Sequence, residues 1–280
     1  MTDEEIEIAV LLEAVRLKYG YDFSNYAKAS LTRRIRKNLD ASGVKRIVEM
    51  IPKILDDKLF FQWFLDNLSV NVTEMFRNPL FYRTLRESVI PYLKTYPFIK
   101  VWSAGTATGQ ESYSLAILLK EEGLLDNATI FATDFNKEVL ETARQGIYPA
   151  EMMKESTKNY QKSGGRESFA GYFHADYDSV IFNGALKKNM VFANHNLVTD
   201  AVFGEMNLIL CRNVLIYFDK ALQDRVLKLF YDSLRDNGFL CLGPKETIDF
   251  SSITDHFIPV DKTGKIYQKK RLSVKERPSK

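Results

Sequence analysis

Five small or polar residues, Gly105-Thr106-Ala107-Thr108-Gly109, join the apolar run FIKVWSA to a helical pattern. Small side chains let a backbone come close to a ligand, and a helix N-terminus presents free N–H groups. Asp134 closes the next apolar run, TIFATD (129–134). A carboxylate at that place can accept both hydroxyls of a ribose. The turn lacks G-x-G-x-x-G spacing, and no phosphate clamp follows it. The pattern points to an adenosine-bearing ligand without a pyrophosphate, of which S-adenosylmethionine is the commonest. An ordinary tight strand–helix connection beside a surface Asp accounts for the same residues. Glu111 lies in the first helical turn, where a carboxylate also simply complements the helix dipole. Asn213 ends a further apolar run, NLILCRN (207–213), and polar side chains at strand ends meet ligands in open αβ folds. His174, His195 and His256 have no metal-ligand spacing and are expected to pack or face solvent, so no metal is expected.

The elements that must position these residues change character along the chain. Ile6, Val10, Ala14 and Leu17 recur at helical spacing, with Gly20 placed to stop the helix. Ser30 is placed to cap a second helix, LTRRIRKNLDAS, ending near Gly43, and 47–55 and 59–68 suggest two more. No strand is expected before residue 97. From 98 onward strands and helices alternate: 98–105, 109–123, 129–134, 137–145, 190–196, 207–213, 219–238, 238–243 and 265–270. That order predicts a parallel sheet with crossover helices. The alternation breaks between about 149 and 189, which reads as an inserted subdomain. The expected organisation is a helical domain (1–75), a linker (76–97), an αβ domain (98–270) with that insert, and a basic tail (271–280).

The chain has 280 residues and a formal net charge of +3, too small to argue for nucleic acid. No stretch approaches the ~20 apolar residues that span a bilayer. The N-terminus starts acidic, unlike a secretory signal, and Cys211 and Cys241 each sit in an apolar run, as buried core residues do. These features lead to the expectation of a cytoplasmic protein. One segment concentrates positive charge: Lys28, Arg33, Arg34, Arg36, Lys37, Lys45 and Arg46 share it with a single acid, Asp40. At i, i+3 and i+4 spacing, Arg33, Arg34, Arg36 and Lys37 give one helix a positive face. Such a face is either a solvated surface or a docking face for an acidic partner.

Four motifs then occur in order: NVTEMFRNP (71–79), VWSAGTATGQESYSLAILL (101–119), FATDFNKEVLETARQGIYP (131–149) and NLILCRNVLIYFDK (207–220). They resemble motifs of the CheR family of chemotaxis receptor glutamate methyltransferases, and the resemblance covers nearly the whole chain. It implies an all-α N-terminal domain before a Rossmann-like class I methyltransferase domain with a small inserted β-subdomain. It also implies methyl transfer from S-adenosylmethionine to glutamate side chains of chemoreceptor cytoplasmic domains. The products would be glutamate methyl esters and S-adenosylhomocysteine. By the same resemblance Asn71, Thr73, Arg77, Glu111, Asp134, Asn196, Leu197, Arg212 and Asn213 line the donor site with the Gly105 turn, Glu111 meeting the donor's ammonium. Tyr217 lies near the transferred methyl group, where its ring could attract the sulfonium.

Glutamate is ionised at neutral pH, with a reference pKa of ~4.3, so the acceptor needs no general base. Arg77 offers a planar fork that can hold a carboxylate. The implied catalytic residues are Arg77 and Tyr217, and the basic helix is the implied docking face. The chain departs from the family pattern at Gln110, Ser112, Asn207 and in GPKET (243–247), where Pro244 and Lys245 differ. These positions bear on loop shape and acceptor choice. The insert has no Gly-x-Gly loop between Tyr172 and Val191, so recognition without a receptor's C-terminal pentapeptide is expected, by a monomer. The alternatives are a methyltransferase acting on another protein or nucleic acid, or a donor-binding signalling module without activity.

Overall fold

Thr2 and Glu5 close a reciprocal cap at the start of the chain: the Thr2 hydroxyl accepts the Glu5 N–H and the Glu5 carboxylate accepts the Thr2 N–H. Such a box satisfies two orphan donors, and the cap alone contributes about 1 kcal/mol. It opens α1 (Asp3–Tyr19), which Gly20 ends in the left-handed conformation, φ 78°. The computed structural model describes residues 1–68 and 73–271, so Asn71 lies outside the described residues. The chain divides into two compact units, Met1–Asn71 with Leu215–Gln223, and Val72–Val214 with Asp224–Lys280.

The first unit is helical. The helix at its start is where the sequence predicts it, but the buried face is Ile8, Leu11 and Val15, while Ile6, Val10 and Leu17 are exposed. The run IEIAVLLEAV is apolar on more than one face, so local spacing alone cannot choose between stripes. Helix α2 (Lys28–Ser42) starts before Ser30, which therefore is not its cap; the cap position is Ala27, and Gly43 ends the helix at φ 73°. A 3-10 turn (Ile47–Glu49) leads into α3 (Met50–Asp56), and α4 (Lys58–Leu68) follows. Asp57 caps this last helix by accepting the N–H groups of Leu59 and Phe60. The distant segment Leu215–Gln223 joins this unit through an isolated bridge between Tyr26 and Phe218 and a bond from the Ala27 N–H to the Tyr217 carbonyl (2.8 Å).

The second unit opens where a linker is expected, and that expectation fails. Residues of 76–97 form α5 (Pro79–Thr84), a π turn (Leu85–Val89) and α6 (Ile90–Leu93). Phe81, Tyr82, Leu85, Val89, Ile90 and Leu93 are buried in the main hydrophobic core. Then come β1 (Ile99–Ala104), α7 (Gln110–Glu121), β2 (Ala128–Asp134) and α8 (Lys137–Gln145). The insert begins with β3 (Ile147–Pro149), continues through α9 (Met153–Lys162), β4 (Phe173–Asp176) and β5 (Ser179–Phe182), and leaves through α10 (Gly184–Lys187). β6 (Met190–Asn194), β7 (Met206–Cys211), α11 (Lys220–Ser233), β8 (Leu234–Leu242), β9 (Phe257–Asp261) and β10 (Ile266–Lys269) complete it. Strand β9 is not predicted from the sequence, and Leu234–Asn237, expected as helix, begins β8.

Among the described residues seven strands form one sheet, β6-β2-β1-β7-β8-β10-β9, and three form another, β3-β5-β4. Strands β6, β2, β1, β7 and β8 run parallel; β10 is antiparallel to both its neighbours. Order reverses between β1, which continues to β2, and β7, which continues to β8. Ligands of open αβ sheets bind at such a switch point, beyond the carboxyl ends of the strands. Every strand residue from Met206 to Cys211 is buried, as a central parallel strand requires. No described helix is long and apolar enough to cross a membrane.

Candidate active site

The Gly105–Gly109 turn sits at the carboxyl end of β1. The N–H groups of Gly105 and Thr106 both reach the Thr133 carbonyl (2.9 Å each), and Trp102 Nε1 donates to Thr133 Oγ1 (2.8 Å). Gly105 has φ 72° and Gly109 φ 94°. A Cβ on Gly105 would lie 2.5 Å from Val214 Cγ2, and one on Gly109 would lie 2.7 Å from the Ala143 Cβ. Both positions thus need glycine for conformation and for space. Ser112, which departs from the family pattern, bonds Thr106 Oγ1 (2.7 Å), and Thr108 Oγ1 donates to Gln110 Oε1 (2.8 Å). The altered residues fasten the turn from inside.

Asp134 ends β2 beside this turn. Its Oδ2 accepts the Ala107 N–H (2.9 Å) and its Oδ1 the Asn136 N–H (3.0 Å). Burial raises the carboxyl above its ordinary range, with those backbone N–H groups pulling the other way. Just past the end of the neighbouring strand β6, the His195 N–H reaches the Asp134 carbonyl (3.1 Å). The buried His195 ring packs against Trp102 and Phe203, as the sequence leads one to expect. Asn196 follows, but its Oδ1 caps the Val198 N–H (2.9 Å), and Leu197 is buried.

On the other side of β1, Arg212 leaves β7 and its Nη1 meets Glu111 Oε2 at 3.2 Å. Its Nη2 donates to the Arg77 carbonyl (3.2 Å) and to Asn78 Oδ1 (3.0 Å), and its guanidinium lies 4.0 Å from the Phe81 ring centroid. Burial raises the Glu111 carboxyl; the Arg212 guanidinium opposes it, with smaller help from Ser103 and Arg77. Arg77 stands between two residues in the left-handed region, Phe76 (φ 52°) and Asn78 (φ 59°). Such backbone costs roughly 1–2 kcal/mol per non-glycine residue, and strain of this kind collects at ligand clamps. The Phe76 N–H donates to Ser114 Oγ (2.8 Å), and its buried ring meets Tyr82 and Tyr160 edge-on. Thr73, partly exposed, leads into this segment.

Two family models match the chain: the CheR methyltransferase all-alpha domain over residues 6–69, and the CheR methyltransferase SAM binding domain over residues 71–266. The chain belongs to the CheR methyltransferase family. A putative methyltransferase Cher3 of Pseudomonas putida is 48% identical over 272 residues, 96% of this chain and 100% of that protein. A chemotaxis protein methyltransferase of Listeria innocua is 29% identical over 88% of this chain and 92% of its own. The chemotaxis protein methyltransferase 2 of Pseudomonas aeruginosa is 32% identical over 68% of each chain. A CheR chain is an S-adenosylmethionine-dependent methyltransferase, and the residues here fit that donor. Carboxylates of Asp134 and Glu111 flank the glycine turn, and the Oδ1 of Asn213 is buried with no hydrogen-bond partner among the described residues.

Tyr217 belongs to the helical unit, where the Arg34 guanidinium lies 4.5 Å from its ring centroid. The four residues of the predicted docking face also divide. Arg34 Nη1 donates to the Leu68 carbonyl (2.5 Å); Arg36 pairs with Glu4 (2.5 Å) and is exposed, as are Arg33 and Lys37. Sequence reasoning missed two groups. Glu246 accepts the N–H groups of Gly243, Asn213 and Val214. Glu121, buried on α7, accepts from Arg86, Tyr160 and Tyr172 and so joins the insert to the main sheet's helix. The Glu of GPKET kept from the family's pattern was the available signal for the first; nothing local marks the second. Among the described residues no cluster of three or more His, Cys, Asp or Glu could hold a metal.

Proposed function

We propose that this methyltransferase esterifies glutamate side chains of chemoreceptor cytoplasmic domains, leaving glutamate methyl esters and S-adenosylhomocysteine. The observation that carries the reading is the Phe76-Arg77-Asn78 segment, whose backbone is strained and tied to Arg212. It offers a guanidinium fork beside the carboxylate-lined donor side of the site. Bound S-adenosylmethionine supplies an electrophilic methyl group on a sulfonium. Asp134 holds a ribose, Glu111 a cationic amine and Asn213 a further polar group; Thr73, Asn196, Leu197, Arg212 and Asn71 complete the donor contacts. Arg77 orients the acceptor carboxylate, whose oxygen is already ionised and attacks without a base. Catalysis then rests on in-line positioning and exclusion of water.

Arg33, Arg36 and Lys37, exposed on α2, approach the acidic receptor together with Arg34. The turn between β4 and β5 is Tyr177-Asp178 with no glycine, which supports recognition without a receptor's C-terminal pentapeptide. Radiolabelled donor, receptor-containing membranes and then base treatment test the reaction. Methyl esters release volatile methanol. Label that stays in protein or nucleic acid after base would reject the ester, and donor binding without transfer would leave a signalling module.

A further inference from the structure

We infer that Glu246 is a positioning residue for the donor, acting through the backbone of Asn213 and Val214. The chain turns sharply after β7. Asn213 is left-handed there, φ 62°, and its side-chain Oδ1 is buried without a partner among the described residues. Two amides of this turn are held by one buried carboxylate. Glu246 Oε2 accepts the Asn213 N–H at 2.9 Å, and Oε1 accepts the Val214 N–H at 2.8 Å. Oε2 also takes the N–H of Gly243 (2.6 Å), at the end of β8. An ionised carboxylate accepts at both oxygens, and bonds to it are roughly twice as strong as neutral ones.

The consequence reaches both sides of the switch point. Val214 Cγ2 stands 2.5 Å from where a Gly105 Cβ would be, so the residue that Glu246 fixes is the one against which the glycine turn closes. The same carboxylate orients Asn213 and backs Gly105. Gly243 is tied to the same device, since a Cβ there would lie 2.7 Å from Glu246 Oε2 and 2.8 Å from the Asn213 nitrogen. Within GPKET the residues that depart from the family pattern, Pro244 and Lys245, are exposed, whereas Gly243 and Glu246 are buried.

The inference rests on Asn213 contacting the donor, and the test separates the two. S-adenosylhomocysteine binding is measured by calorimetry on the full chain, wild type, E246Q, N213A and the double variant, at a temperature where circular dichroism shows each folded. The glutamine keeps the shape but turns one acceptor into a donor. Positioning predicts at least a tenfold loss in E246Q, and less than a twofold further loss when N213A is added to it. An unchanged Kd in E246Q, or losses in the two variants that simply multiply, overturns the proposal. Wild-type binding that N213A does not weaken fails the underlying assignment of Asn213 instead. If E246Q does not fold, G243A takes its place. It crowds the same carboxylate and the Asn213 amide without removing either, and the same tenfold loss is expected; unchanged binding there overturns the proposal.

Discussion

The Arg34 guanidinium lies over the Tyr217 ring, 4.5 Å from its centroid, while the same side chain donates to the Leu68 carbonyl at 2.5 Å. An arginine expected on a receptor-facing surface also braces an aromatic residue more than 180 positions away in sequence. A cation over an aromatic face is worth roughly 0.5–2 kcal/mol. Arg34→Ala is therefore expected to destabilise the helical unit by roughly 1–3 kcal/mol, the cation–aromatic contact and the Leu68 carbonyl bond being lost together. Urea midpoints of wild type and Arg34→Ala check this; an unchanged midpoint would mean that the contact contributes nothing to the fold.

Receptor attraction is expected of the exposed docking residues of this helix, Arg33 and Lys37 among them. Reversing both charges is expected to raise the receptor KM several-fold at low salt and to leave S-adenosylhomocysteine affinity intact. The effect shrinks as salt is added, since the Debye length is about 8 Å at physiological ionic strength. Equal rates for wild type and variant at low salt would end the docking idea.

Asp134→Asn is expected to weaken S-adenosylhomocysteine binding at least tenfold without a comparable loss of fold stability. Burial, opposed by backbone N–H groups, raises the Asp134 carboxyl. The folded chain therefore keeps this proton to a higher pH than the unfolded chain does. Stability falls as pH rises from the ordinary carboxylate range through the raised value. The wild type should lose stability relative to Asp134→Asn over that interval, read from urea midpoints at stepped pH.

Arg212→Met removes the cation beside the buried Glu111 carboxylate. Breaking one side of a buried pair typically costs roughly 3–5 kcal/mol. Adding Glu111→Gln should recover part of that loss, because the uncompensated charge is then gone. Chemical denaturation of the four members of this cycle measures the coupling.

Glu121 carries the opposite pH signature. Burial acts to raise its carboxyl, but hydrogen bonds from Tyr160 and Arg86 outweigh it and hold the group below the ordinary range. Its contribution is complete above the usual carboxylate pKa and disappears as pH falls through the lowered value. Glu121→Gln should cost stability at pH 7, and the gap from wild type should close in acid. A gap independent of pH would mean that the group acts by shape alone.

Much of the candidate site is legible in the amino-acid sequence alone. Gly105, Gly109, Glu111 and Asp134 stand close together in sequence with the types a strand–turn–helix ligand site needs, and Asn213 ends its own apolar run. The helix breaks at Gly20 and Gly43 are legible for the same reason. The buried face of α1 is not, because its apolar residues satisfy two stripes. The helices of 79–93 are not either, since Pro79 and Pro91 mark breaks while burial of Phe81, Tyr82 and Leu85 comes from distant partners.

The sequence by itself determined the alternation of strands and helices from β1 through α8 and from β6 through α11, the glycine turn and the family, because each of these is written in contiguous residues. Only the tertiary structure decided that Leu215–Gln223 joins the helical unit, that Arg34 braces Tyr217, and that Glu246 holds Asn213. Those relations join groups 33 or more residues apart, and no periodicity of side chains records which distant amide or ring a charge will meet.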